Sequence, residues 1–326
     1  FGKRRAYQRK VGIAPFDGIF SAHGFVFRAN RDVIDENLLP YFIQSDQFMN
    51  RAIEISVGSL SPTINWSELK KQVFVLPSIE EQRKIVETIS AADEVSKRYV
   101  KEFNDLSRLK LKYEDINFLL HEVIKKNPSI PKNWRIGYVT DLVEIDPRFP
   151  KGIETDTVSF VPMDLIDENG NIVEQRIEPL EKVKKGYTYF AEGDILFAKI
   201  TPCMENGKGT LATNLLNGIG FGSTEFYVIR PYDKNDTQYL YSLSMSKVFR
   251  RRAERWMQGS AGQRRVPKDF FSKRLIAIPP EKERQRIGEM FREIDYNLFL
   301  LKEQINKSRK LTNNLLNTYL DVGGAN

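Results

Sequence analysis

Along two stretches of this chain, apolar positions recur at alternating spacings of four and three. Ile287, Phe291, Ile294, Leu298, Leu301 and Ile305 form one row. Ile85, Ile89, Ala92, Ser96, Tyr99, Phe103 and Leu106 form the other, which slips by three and continues through Leu109, Tyr113, Ile116, Leu120 and Val123. This spacing predicts helices with an apolar seam for a partner in a left-handed coil, and the slip resembles a stammer. The predicted helices run from about Ile79 to Lys126 and from about Glu281 to Tyr319; neither contains proline, and Gly288 is the one weak point. At 1.5 Å per residue, a helix of ~45 residues is ~70 Å long. Two equivalent helices in one chain are expected to pair with each other, antiparallel or nearly so. Ahead of the second helix the pattern changes to short apolar runs, "VSFVPM", "DILFAKI" and "TEFYVIRP". Gly and Asn turns separate them, as between strands, and Glu168-Asn-Gly-Asn171 is a predicted hairpin turn. "KKNPSIPKNW", Lys125 to Trp134, stops the first helix with two prolines, and a new domain begins at Trp134.

The helix rows are part of a longer repeat. At an offset of 202 residues, Ser21 falls on Ser223, and "FVFRA" (Phe25 to Ala29) falls on "YVIRP" (Tyr227 to Pro231). With a one-residue gap, Gly58-Ser59 falls on Gly259-Ser260; Pro77 then matches Pro279, Glu81 matches Glu283, Ile85 matches Ile287 and Asp93 matches Asp295. Each copy is a mixed, strand-rich front followed by a long helix. By this offset Phe1 matches position 203, so the counterpart of Trp134 to Pro202 is expected ahead of Phe1, and the sequence reads as a piece of a longer chain.

Composition narrows the chemistry. The chain has 326 residues, enough for two domains, with 41% hydrophobic and 29% charged residues. No apolar run approaches a membrane span, nothing resembles a signal peptide, and a single cysteine, Cys203, fits a reducing cytoplasm. His23, His121 and Cys203 cannot build the usual zinc sets, so no metal site is expected. His121 reads as a structural helix residue, and His23 is matched by Glu225, which argues against a shared catalytic role. "ENGKGT" fails the phosphate-loop pattern, because Lys208 is followed by Gly209 and Pro202 stands upstream. "IPPE" lacks the Asn and the aromatic residue of an Asn-Pro-Pro-Tyr methylation site, and no Gly-rich nucleotide turn is present. Catalytic residues are therefore expected to be none. The net charge is +7, and from Lys247 to Arg274 ten Lys/Arg stand against Glu254 and Asp269, a candidate phosphate footprint.

Matched positions in the two copies are architectural, whereas differing positions are polar. Around the repeated Gly-Ser they are Gln258, Ser260, Gln263, Arg264 and Arg265 in one copy, and Ser59, Ser61, Thr63 and Asn65 in the other. Lys199, Thr201, Asn206 and Lys208 follow "DILFAKI", and Ser223 and Thr224 open the next strand. These are candidate base-reading residues, since Arg matches guanine bidentately and Asn or Gln matches adenine. Lys3, Arg4, Arg5, Arg250, Arg251, Arg252 and Arg255 are candidate phosphate contacts.

On the residues "PKNWRIGYVTDLVEI", "EGDILFAKITPCMENGKG", "GSTEFYVIRP" and "GSAGQRRVPKDFFSKRLIAIPPEKERQRI", with "LPSIEEQRKI" in the first copy, the chain resembles the specificity subunits of type I restriction-modification systems. The resemblance covers essentially the whole chain, and its order of domain, helix, domain, helix is more specific than any one motif. It implies two target-recognition domains on the halves of a split site in double-stranded DNA, with paired helices as a ruler for the spacer. Methyltransferase subunits docked on the helices would carry S-adenosylmethionine and the adenine chemistry, and a translocating restriction subunit would join them. The chain itself would hold no cofactor and catalyse nothing.

The expected fold is α+β, with two homologous mixed α/β domains separated by two long antiparallel coiled-coil helices. The expected domains are 1–78, an incomplete first recognition domain; 79–127, a central helix; 128–280, the second recognition domain; and 281–326, a distal helix. The helices would set half-sites about one duplex turn apart, ~34–36 Å. Two alternatives stay open at this point: a coiled-coil scaffold with non-specific basic domains, and the reader half of a fused methyltransferase.

Overall fold

The structure is a computed structural model that describes residues 1–118, 130–167, 169–260 and 262–320. The expectations for His121, Leu120, Val123 and the end of the first long helix lie outside the described residues. The chain forms two compact units, Phe1–Asn104 with Phe299–Asn326, and Asp105–Leu298. These cut across the division expected from sequence, because each unit takes part of both long helices.

In the second unit the strands are β1 (Arg135–Tyr138), β2 (Val143–Ile145), β3 (Thr157–Val161), β4 (Arg176–Pro179), β5 (Thr188–Ala191), β6 (Ile195–Ala198), β7 (Gly209–Leu211), β8 (Ile219–Gly222), β9 (Phe226–Pro231) and β10 (Leu275–Ile278). One antiparallel sheet runs β2-β9-β6-β7, with Phe197 opposite Tyr227 and Ile195 opposite Ile229. A second runs β4-β3-β8-β5, in which β3 and β8 are parallel. β1 pairs with β10. β6 and most of β9 are buried on both faces, which is why "ILFA" and "FYVI" read as continuous apolar runs. Of the turn expected at 168–171, Glu168 lies outside the described residues; on either side Ile166 bridges Ile172, and the Asp167 carboxylate accepts from the backbone N–H of Asn169 and of Asn171.

The first unit is mainly helical, with α1 (Leu39–Gln44), α2 (Asp46–Glu54) and α3 (Trp66–Leu69). The expected strand "FVFRA" carries no ladder. Its counterpart β9 lies between β2 and β6, whereas this segment is paired at Phe25, which exchanges backbone hydrogen bonds with Phe1. Apolar positions that the other copy buries are exposed here. Val26 is 69% exposed and Val228 0%, while Ile19 is fully exposed and Phe221 1%.

The two units share a way of holding their helices. α4 (Ile79–Asn117) starts in a capping box, where Ser78 and Glu81 exchange hydrogen bonds. Buried Gln82 donates to the Pro77 and Val33 carbonyls and accepts from Asp35 N. In the second unit, remaining helices are α5 (Leu180–Val183), α6 (Thr237–Met245), α7 (Lys247–Glu254) and α8 (Asp269–Lys273), followed by α9 (Glu281–Leu320). At the position of Gln82, α9 has Arg284, which donates to the Pro279 carbonyl and clasps the Asp236 carboxylate at 2.7–2.8 Å. Gly288 allows the close approach there: a Cβ would lie 2.6 Å from Tyr239 N.

Within the first unit, Ile85 and Ile89 of α4 pack in one core with Leu316 and Leu320 of α9, and the Ser96 and Ser308 hydroxyls meet at 2.6 Å. Within the second, Lys110 pairs with Asp295, and Phe118 stacks on Phe291 with centroids 4.8 Å apart. In each unit the contacts run antiparallel. Ile287, Phe291, Ile294 and Ile305 are buried, whereas Tyr99, Phe103, Leu106, Leu298 and Leu301 are half-buried. Burying such a side chain fully contributes ~1.5–3 kcal/mol, so the seam residues dominate the helix contacts.

Candidate nucleic-acid interface

The site is best built from β6 outward. After Ala198 the strand continues as Lys199-Ile200-Thr201, and its backbone is gripped from three sides. Lys199 N donates to the Glu225 carbonyl at 2.9 Å, Val266 N donates to the Lys199 carbonyl at 2.9 Å, and Thr201 N donates to the Arg264 carbonyl at 3.0 Å. A hairpin, bridged at Gln258 and Arg265, closes beside it. Gly259 at its corner has φ +118°, a conformation that favours glycine, and Gly58 repeats it at +112°. That accounts for the Gly-Ser shared by the two copies.

The first unit contains the same grip. Lys3 N donates to the His23 carbonyl, Ile64 N to the Lys3 carbonyl, and Arg5 N to the Pro62 carbonyl, while Val57 and Thr63 bridge the hairpin. This register sets Phe1-Gly2-Lys3-Arg4-Arg5 against Phe197-Ala198-Lys199-Ile200-Thr201. It corrects the match of Phe1 to position 203, which a fixed offset gave because it cannot carry a length change in the loop that follows. Both copies then place a lysine over the same ring. Lys3 Nζ lies 5.4 Å from the Phe25 centroid, and Lys199 Nζ lies 4.9 Å from that of Tyr227. Burial pushes the Tyr227 hydroxyl up to about 12, so it stays protonated and donates to the Val266 carbonyl.

The second unit gathers the expected base-reading residues around this strand end. Asn206, Thr224, Gln258, Ser260, Gln263 and Arg265 are exposed, while Lys199, Thr201, Lys208, Ser223 and Arg264 are half-buried. Several are already engaged. Arg264 reaches Glu205 at 3.2 Å, Thr201 Oγ1 donates to Glu205 at 2.7 Å, and Lys208 Nζ donates to the Met163 carbonyl at 3.1 Å. Arg265 is clasped by Glu225. In the first unit Ser59, Ser61, Asn65, Arg4 and Arg5 are exposed, and Thr63 and Lys3 are half-buried.

The register also exposes residues that the sequence pattern did not single out. Gly2 N donates to the Lys10 carbonyl as Ala198 N does to that of Lys208, so Lys10 is the counterpart of Lys208. Between Arg5 and Lys10 the loop makes one 3-10 turn, flanked by Arg5 and Arg9 at φ +54° and +50°. Non-glycine residues are uncommon there. Arg9 is paired with Asp46, which in turn is held by Asn317. The lysine shared by "QRK" and "NGK" was the available signal.

Two expected phosphate contacts lie in the interior. Arg250 is 6% exposed; its guanidinium donates to the Met204 and Lys208 carbonyls and stands 4.8 Å from the centre of the Phe197 ring. Burial lowers its pKa to about 10, and the group serves as a buried strut of the 204–208 loop. Arg252 is 8% exposed. Both face inward because the amphipathic turn of α7 places them beside buried Phe249 and Ala253. Arg251 and Arg255 are exposed on α7 and just after it. Among the described residues no cluster of ligating side chains is placed to hold a metal ion, and no helix is long and apolar enough to cross a membrane.

One scaffold built twice, with matched backbone grips and different polar loops, defines a tandem-domain protein with paired long helices. The family described as "Type I restriction modification DNA specificity domain" matches residues 2–102 and 131–308, and the chain belongs to that family. It is 38% identical over 199 residues to the type I restriction enzyme EcoAI specificity subunit of Escherichia coli, covering 59% of this chain and 34% of that protein. It is 35% identical over 203 residues to the EcoEI specificity subunit of the same organism, covering 60% and 34%. The matches thus span about a third of these curated relatives. A solved structure described by complex assembly and conformational transition of the type I R-M system shares the fold, with TM-score 0.54, 18% identity, and coverage of 90% of this chain and 73% of that one.

Proposed function

We propose that this chain is a sequence-reading part of a type I restriction-modification specificity subunit, with each domain binding one half of a bipartite site in double-stranded DNA. The carrying observation is the repeated grip on Lys3 and Lys199 with unlike side chains around it, Ser59, Ser61, Thr63 and Asn65 in one copy and Thr201, Gln258, Gln263, Arg264 and Arg265 in the other. A fixed frame with exchanged polar groups suits two readers of different base sequences. Arg4, Arg5, Lys10, Arg251 and Arg255 would meet phosphates, which position without reading.

The long helices would hold the half-sites about one duplex turn apart, and with the adjoining domain faces would dock methyltransferase subunits and, through the assembly, a restriction subunit. Methyl transfer and its cofactor would belong to the methyltransferase, and this chain would read without catalysing. The test is a loop graft. Replacing Gly259–Arg265 with the sequence of Gly58–Thr63 is expected to abolish preference in one half-site and leave the other intact. Unchanged preference in both halves would contradict the proposal.

A further inference from the structure

Arg265 is an exposed basic side chain held at both its backbone and its guanidinium. Its backbone bridges Gln258 on one side and Ile200 on the other, so the hairpin and the strand end fix its Cα. Its side chain is fixed as well. Nε donates to Glu225 Oε2 at 2.9 Å and Nη2 donates to Oε1 at 2.7 Å, with Nε also 3.2 Å from Oε1. Nη1 donates to the Gln263 carbonyl at 3.2 Å. Glu225 is itself held, since its N–H bonds the Ser223 hydroxyl and its carbonyl takes Lys199 N. Hydrogen bonds from Arg265 keep the Glu225 carboxyl below its ordinary value, so it is ionised at neutral pH.

A guanidinium has five N–H donors in one plane. Chelation through Nε and Nη2 occupies one side of that plane. The bond to Gln263 takes a further donor on Nη1. One N–H on each Nη remains, and with the Gln263 bond made by the Nη1 proton that faces the side-chain stem, these two lie parallel and in plane along the outer edge. Two parallel donors match the O6 and N7 acceptors of guanine in the major groove. They also match two phosphate oxygens, but the charge of Glu225 separates the cases. Pairing brings the local charge close to zero and weakens the pull on an anionic phosphate, while a neutral base edge needs only the two donors.

We propose that Arg265 reads a guanine in one half-site and that Glu225 is its positioning residue, a specificity determinant that never touches the base. The couple is confined to one domain: the positions of Glu225 and Arg265 are His23 and Thr63 in the other, so only one half-site carries this guanine. The inference rests on the DNA-reading function proposed above.

The test measures binding of the full chain, with its methyltransferase partner, to a panel of duplexes varied singly across both half-sites, at two salt concentrations. Wild type is expected to prefer guanine at one position roughly ten-fold or more. Arg265→Ala should flatten that position alone. Glu225→Gln should reduce the preference at the same position while raising affinity for unrelated duplex and steepening the salt slope by up to about one, because a negative charge has gone. Glu225→Asp should keep part of the preference. A merely structural ion pair would weaken folding without moving either the base preference or the slope in this direction. If Arg265→Ala weakens all sequences equally and makes the salt slope shallower, the residue is a phosphate contact and the inference is wrong. If wild type reads a split site that neither variant alters, the inference fails and the reading function stands. Should wild type bind every duplex equally, both fall.

Discussion

Arg250 and Arg251 are neighbours with opposite surroundings. Arg250 is buried and bonded to two carbonyls of the 204–208 loop, whereas Arg251 is exposed on the same helix. Arg250→Ala should therefore cost about 2–4 kcal/mol in urea unfolding, from lost charge-assisted bonds and stem packing. Arg251→Ala should stay within about 0.5 kcal/mol. In DNA binding it should instead weaken all sequences alike and reduce the salt slope by about one. A row of arginines in a sequence carries no sign of this difference. The row does follow helical spacing, and Phe249 and Ala253 mark the inward face, so the pattern held the answer that composition obscured. The cation–ring pairs of Lys3 and Lys199 were hidden for another reason: the aromatic partner sits on a neighbouring segment, 22 and 28 residues away in the chain.

At the scale of elements, the long helices were legible because alternating four and three spacing persists over many turns. Their seam carries most of the binding between them. Phe291, fully buried and stacked on Phe118, is expected to cost ~3–5 kcal/mol as Phe291→Ala, measured by denaturant unfolding. Tyr296→Ala, on an exposed position of the same helix, should cost under about 0.5 kcal/mol. Glu114 adds a pH dependence. It is 2% exposed on α4, and its carboxylate caps α7 by accepting from Lys247 N at 2.9 Å. Burial raises its pKa in the folded protein. A carboxyl so raised contributes stability that is fully present below the unfolded value and is lost as pH rises through the folded one. Glu114→Gln keeps an acceptor for the cap and removes the charge. Its melting temperature should exceed wild type near pH 8, by about 2–4 °C per kcal/mol for a unit of this size, and the two should converge in acid. A gap that widens in acid would refute the assignment. The strand "FVFRA" marks the limit of reading one element at a time. Its composition favours a strand, yet a ladder needs partners along its whole length, and among the described residues this segment is paired at Phe25, which exchanges backbone hydrogen bonds with Phe1. Hydrogen exchange should show this, with Val26–Arg28 exchanging faster than Val228–Arg230; equal protection would mean the first unit pairs this segment in solution.

For the whole molecule, the repeat was the most informative feature of the sequence, and it also misled. A constant offset located the second helix and the paired prolines, and with a one-residue gap the Gly-Ser hairpin. It failed where the loop after Phe1 differs in length from the loop after Phe197. Only the hydrogen bonds restored the register, and with it Lys10 as the counterpart of Lys208. In the proposed function, two copies of one frame read two different sequences at a fixed separation. Selection from random duplex DNA by this chain with its methyltransferase partner, followed by sequencing, tests that most directly. The expected result is an enriched motif in two unlike parts with a constant gap between them. Enrichment of a single palindrome, of one part alone, or of nothing over unselected DNA would contradict it.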